Sequence, residues 1–308
     1  MPPLLAVADP ATVAALATYL LLIAAAAFAG GSSVAFLSLS HRQTQVLLSL
    51  TGGVLLGVGL LHLLPHAWLQ LDRDLETTMG WVLFGFFVMF LLERAFHGHA
   101  HHTADGGPGG HVHAHHDGCS HSGHAHGEQP GPAGRWAWCG AFAGLALHSL
   151  ADGAALAASV DADARHGVGL LAGCATFLAI LLHKPFDAGI IATLMINAQA
   201  SARTRFVVNL LYAAMVPCGA AAFLASLRLF GAHHDAVLGA ALAMAAGAFL
   251  CIAAADLLPE VQFHSHDRVL LTAALALGLS IAWGITVLER SSHAHARHGP
   301  AAADARGH

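Results

Sequence analysis

Charge is what this 308-residue chain has least of. Only 10% of its residues are Asp, Glu, Lys or Arg, against 56% hydrophobic, and the mean hydropathy is +0.63. A soluble domain carries about a quarter charged residues, so the composition excludes an ordinary water-soluble globule and indicates a polytopic membrane protein. Net charge is −5 with no basic patch, which excludes nucleic acid as a partner class. There is no Walker A motif to hydrolyse ATP and no HExxH for a zinc protease. The five cysteines (Cys119, Cys139, Cys174, Cys218, Cys251) show no CxxC spacing. Four of them lie in apolar runs, where cysteine acts as a small packing residue. No Lys or Arg precedes Arg42, so the basic n-region of a signal peptide is missing and the first apolar run reads as a membrane helix.

Apolar runs cover about residues 13–37, 46–64, 79–92, 136–160, 168–196, 206–230, 236–258 and 269–288. Most reach the roughly 20 residues that a helix needs to cross a bilayer. The expected class is therefore all-α, a polytopic membrane protein with eight transmembrane helices. Residues 1–96 hold helices 1–3, 97–134 form a His-rich flexible loop, 135–290 hold helices 4–8, and 291–308 are a His-containing tail. Eleven of the 25 histidines fall between His97 and His126, among Gly, Ala, Ser and Pro that cannot bury a core. Of these, His111, His113, His115, His116, His121, His124 and His126 are candidates for weak metal buffering, since imidazoles bind zinc but a loop offers no fixed geometry.

Two stretches repeat one chemical pattern. His148-Ser149-Leu150-Ala151-Asp152-Gly153 and His183-Lys184-Pro185-Phe186-Asp187 each place a histidine and an aspartate four apart, on one helix face. His148 and His183 lie about twelve and about fifteen residues into their runs, near the middle of a ~30 Å core. Ionisable groups at that depth cost at least about 2.5 kcal/mol each and mark a site or a pathway. Imidazole nitrogen and carboxylate oxygen suit zinc and its first-row neighbours, so His148, Asp152, His183 and Asp187 are the expected metal ligands. The plain alternative is that each pair hydrogen-bonds a neighbouring helix as structural glue.

These motifs resemble those of the ZIP (zinc/iron-regulated-transporter-like) family of divalent metal transporters. The fourth helix of that family reads His-Asn-x-x-Asp-Gly in one of its forms, matched by His148 to Gly153 except at Ser149. The fifth carries a histidine, an adjacent carboxylate or lysine and a ligand four on, matched by His183, Lys184 and Asp187. Leu63-Leu64-Pro65 on the second helix, and Ala255 to Glu260 followed by His264 and His266 on the seventh, are similar too. The resemblance implies a ZIP-like bundle with an inverted repeat, integral to the membrane, which is the cytoplasmic (inner) membrane if the source is bacterial. It also implies import by alternating access, a homodimer, and a divalent cargo: Zn2+ foremost, with Cd2+, Fe2+, Mn2+ and Co2+ open to the same donors. Many members hold a second metal beside the first. The matching positions here are Ser149, Lys184 and Val216, none a ligand, so a single central metal is expected, with the Lys184 ammonium in place of the second ion. Lys184 snorkelling away along its apolar stem is the alternative.

Weaker candidates lie near helix ends. His62 and His66 are one turn apart and read either as a pathway mouth or as interfacial histidines facing water. Asp256 and Glu260, with His264 and His266 beyond, read either as a transit or regulatory group or as a solvated cap. Two other classes compete with transport by this family. A cation-diffusion efflux protein has about six spans and a soluble C-terminal domain, and an intramembrane zinc hydrolase needs three ligands and an open fourth position. Eight spans and four closing ligands favour carriage over either, and no enzyme activity is expected.

Arginine placement sets the orientation. Arg42, Arg94, Arg135, Arg203, Arg205 and Arg268 fall in connections that are cytoplasmic if the N-terminus is outside, against Arg73, Arg165 and Arg228 in the outer connections. Arg290, Arg297 and Arg306 of the tail would then be outside too and argue the other way, but the connections favour the N-terminus outside. A single cysteine placed between residues 97 and 134, in a cysteine-free background, is then expected to resist an impermeant thiol reagent in intact cells. Rapid labelling there reverses the orientation.

Overall fold

The computed structural model describes residues 9–34, 40–101, 137–165, 171–263 and 268–297. Within them are eight helices long and apolar enough to cross a membrane. These are α1 (Pro10–Ser33), α2, α3 (Leu75–His101), α4 (Ala137–Arg165), α5 (Cys174–Asn197), α6 (Ala202–Leu229), α7 (His234–Phe263) and α8 (Arg268–Arg297). Helix α2 is composite: His41–Val58, a π turn at Gly59–Leu63, then Leu64–Gln70. Helices α3 and α8 continue past 96 and 290, the limits set by composition, because leaving the apolar layer does not by itself end a helix.

Local chemistry sets the starts. Asp9 caps α1, accepting from the Ala11 N–H, with Pro10 in the first turn where its missing donor is harmless. Ser40 and Gln43 form a reciprocal capping box on α2, and Ser201 caps α6 through the Thr204 N–H. The π turn has a cause in sequence. Pro65 has no N–H to return to the preceding turn, and the helix widens there, with the Leu64 N–H reaching back to the Gly59 carbonyl.

The core lies among α2, α4, α5 and α7, where Val54, Leu55, Leu156, Ile180, Leu242 and Phe249 are fully enclosed. Leu83 and Phe87 of α3, Phe206 and Leu210 of α6 and Trp283 of α8 point outward. Such a belt suits lipid and would be a liability in water.

Four helix pairs make the most intimate contacts: α1 with α5, α4 with α6, α2 with α8, and α3 with α7. Exchanging α1–α3 with α6–α8, and α4 with α5, turns the first pair into the second and the third into the fourth. Successive spans alternate in direction, so α1 and α6 run oppositely and the repeat is inverted. Glycine permits each approach. A Cβ on Gly153 would strike the Val216 carbonyl and one on Gly219 the Leu150 carbonyl, locking α4 against α6. Gly53 and Gly278 do the same for α2 and α8, Gly85 and Gly247 for α3 and α7, and Gly30 meets the Pro185 backbone. Small residues at crossings are how membrane helices gain contact without a hydrophobic driving force.

Replacing Gly153 by Leu is expected to force α4 from α6 and to cost at least about 1–3 kcal/mol, the usual range for overpacking. Gel filtration of the variant in mild detergent should show a loss of monodisperse protein, and an unchanged profile would mean that the crossing is soft.

Candidate metal centre

The α4–α6 crossing fixes the register of the polar groups beside it. His148 and Asp152 project from α4 and His183 and Asp187 from α5, and the first three are at most 4% exposed. The structure therefore brings both predicted pairs together. His148 Nε2 lies 3.2 Å from Asp152 Oδ2 and 3.8 Å from Asp187 Oδ2, and His183 Nε2 lies 3.3 Å from the same Asp152 oxygen. The two rings are 5.4 Å apart between centroids. Donor atoms of His148, His183 and Asp187 all fall within 4.8 Å of one another. His183 Nδ1 is 2.8 Å from the Ala179 carbonyl, one turn back on α5. A carbonyl can only accept, so Nδ1 carries the proton and the Nε2 lone pair of a neutral ring faces the Asp152 carboxylate.

Lys184 is the only lysine in the chain, and it is completely enclosed. It does not snorkel. Its ammonium sits 2.5 Å from Asp152 Oδ2 and 2.9 Å from Asp187 Oδ2, joining the α4 and α5 carboxylates. Ser149 is fully buried and gives its hydroxyl to the Leu145 carbonyl at 2.7 Å. Val216 is buried and presents only its carbonyl, against Gly153. Tyr212, one turn before Val216 on α6, donates to Asp187 Oδ2 at 3.1 Å. Sequence reasoning missed this tyrosine. Its only signal was a phenol four residues before Val216, within an apolar run.

Tyr212 also lines a cavity of about 230 Å³ between α1, α5 and α6. Met195, Ile196, Arg205 and Asn209 lie on its walls, near the C-terminal end of α5 and the N-terminal end of α6. The cavity thus runs from Tyr212, the partner of Asp187, toward the face opposite the N-terminus.

The remaining candidates divide. His62 and His66 do not simply face water: they belong to a second enclosed polar group, with His62 1% exposed. His62 Nδ1 is 3.0 Å from Glu289 Oε2 and its Nε2 is 2.9 Å from Ser159 Oγ. His66 Nε2 is 3.5 Å from Asp163 Oδ1. Asp163, three residues past the apolar run 136–160, lies inside α4 and is fully buried. Asp256 and Glu260 fall on α7, but their side chains are outside the described residues, as are His264, His266 and the loop histidines His111, His113, His115, His116, His121, His124 and His126.

Comparison with known proteins agrees with this architecture. The family model described as ZIP Zinc transporter matches residues 13–286. Zinc transporter ZIP1 of Mus musculus is 27% identical over 258 residues, covering 77% of this chain and 76% of the relative. Zinc transporter ZIP1 of Bos taurus is 27% identical over 281 residues, covering 82% and 81%.

Two carboxylates, Asp152 enclosed and Asp187 16% exposed at its side chain, share one ammonium and make Lys184 a structural counterion as well as a neighbour of the candidate ligands. Removing one partner of a buried ion pair costs about 3–5 kcal/mol, because the other charge is left without compensation. Lys184→Met, nearly isosteric, is therefore expected to lower the unfolding temperature in metal-free detergent solution. An unchanged temperature would show that the ammonium compensates nothing.

Proposed function

The chain belongs to the ZIP zinc transporter family, and from that premise we infer that it carries Zn2+ across the membrane through the enclosed cluster on α4 and α5. One ion is held by His148, Asp152, His183 and Asp187. The observation that carries this reading is the convergence of two imidazole nitrogens, His148 Nε2 and His183 Nε2, at 3.2 Å and 3.3 Å from one Asp152 oxygen. Two imidazoles and two carboxylates suit Zn2+, and Cd2+, Fe2+, Mn2+ and Co2+ are further ions that such donors accept.

Lys184 is a tethered stand-in for the cargo. With the site empty, its ammonium bridges Asp152 and Asp187. An arriving divalent ion takes those oxygens and displaces it, and when the ion departs the ammonium returns. Two bare carboxylates in a low-dielectric interior would otherwise hold the metal too tightly to release it. Ser149 and Val216 offer no side-chain ligand for a second ion beside the first. The cavity beside Tyr212 supports an open route toward the face opposite the N-terminus, and the inverted repeat supports alternating access. With the N-terminus outside, that direction is import. The segment 97–134 buffers metal at the cytoplasmic face, and a homodimer in the lipid bilayer is the assembly that the resemblance implies.

Reconstituted into vesicles, the protein is expected to pass Zn2+, and Asp152→Ala to reduce flux to the level of empty vesicles. Undiminished flux in that variant would remove the central cluster from the route. Zn2+ should raise the unfolding temperature of Lys184→Met more than that of the unaltered protein, since the ion then supplies the only compensating charge.

A further inference from the structure

The second enclosed polar group has the makings of a metal site in its own right. Donor atoms of His62, His66 and Asp163 lie within 4.8 Å of one another. His66 Nε2 to Asp163 Oδ1 is 3.5 Å and His62 Nε2 to Asp163 Oδ2 is 3.7 Å. A tetrahedral zinc with bonds of about 2.0–2.1 Å separates its ligands by about 3.3–3.4 Å. The two imidazole-to-carboxylate approaches are already near that spacing, and the set as a whole, within 4.8 Å, closes by inward movement of the rings. The rings stand 4.7 Å apart and nearly perpendicular, so their edges converge without stacking. Glu289 of α8 sits 3.0 Å from His62 Nδ1. A carboxylate so placed favours the proton on Nδ1 and leaves Nε2, 2.9 Å from Ser159 Oγ, as the ring's ligand atom, the outer-shell arrangement of metal-binding histidines. The far side of Asp163 is fixed as well: its Oδ2 accepts the Gly173 N–H at 2.7 Å. Gly173 has φ +73°, a conformation that a residue with a side chain takes up only with strain.

We propose that His62, His66 and Asp163 form a second divalent-metal site, with Glu289 as the outer-shell partner of His62. The site has three protein ligands and a fourth position left for water, which suits an ion that exchanges. It lies on the face that carries the N-terminus, where α2, α4 and α8 end and α5 begins. Asp163 is eleven residues beyond Asp152 on α4, about 16 Å at 1.5 Å per residue, so the two sites are separate ions' positions. His66, 18% exposed at its side chain, is the member nearest solvent. The site stands on the face opposite the cavity, as a station between that solution and the central cluster.

The test replaces a proposed ligand by one with a visible signature. Asp163→Cys, and separately His66→Cys, keep a donor at the site. Each full-length variant, made in a background whose five native cysteines are replaced by alanine, is titrated with Co2+. It should develop a thiolate-to-cobalt charge-transfer band absent from the cysteine-free parent, so metal on the loop histidines does not interfere. The band should survive His148→Ala with His183→Ala, which empties the central cluster. It should disappear when His62→Phe is added, and should need about 10- to 100-fold more Co2+ with Glu289→Gln, as for lost outer-shell partners. Failure of both cysteine variants to develop the band overturns the proposal. So does a band indifferent to His62→Phe. A band lost only with the central histidines would mean that one site, not two, binds metal.

Discussion

One ammonium shared by two carboxylates in an enclosed interior constrains the rest of the molecule. Lys184 can reach Asp152 and Asp187 together only if α4 and α5 face each other in one register. That register is set in turn by α4 lying backbone to backbone on α6 and by α5 lying on α1, each through glycine. The crossings cannot relax without parting the charges, and the charges cannot part without stranding one of them away from water. The helix bundle and the site are therefore a single mechanical problem. The glycines supply closeness, the ion trio supplies register, and Tyr212 ties α6 to the same oxygen of Asp187.

Much of this was legible in the amino-acid order. Eight apolar runs with few interruptions leave a chain little choice of fold in a bilayer, and their number and order match the helices found. The HxxxD spacing put each pair on one face because a helix repeats every 3.6 residues, and the matched depths of His148 and His183 brought the two faces together. What escaped has a common physical origin. Asp163 and Glu289 lie just beyond or at the end of an apolar run, where a carboxylate ordinarily meets water. Only the extension of α4 to Arg165 carries Asp163 inward. Tyr212 gives no periodic signal as a lone phenol in an apolar helix. The direction of Lys184 depends on four rotatable bonds that no pattern encodes. The pairing of α1 with α5 and of α2 with α8 rests on glycine positions whose meaning appears only when two helices are set side by side.

The two polar groups differ in how their charge is arranged. The central one contains its own cation, the Lys184 ammonium between Asp152 and Asp187. The group on the N-terminal face is made of imidazoles and carboxylates, with Glu289 against His62 and Asp163 beside both histidines. The π turn at Gly59–Leu63 belongs to this second arrangement. By widening α2 just before Pro65, it sets His62 into the interior while His66, four residues on, stays near the surface. A backbone irregularity forced by proline thus sorts two otherwise similar histidines into an inner and an outer position.

A chain with one lysine also carries a built-in clock. The only side-chain amine is Lys184, with no accessible surface in this conformation and its nitrogen held by two carboxylates. Acylating reagents in water have no other side chain of that kind to compete for. Every molecule modified at Lys184 has at some moment opened its interior to solution and let go of both aspartates. The rate at which that single amine is acylated therefore counts openings of the membrane interior one molecule at a time, without any engineered label.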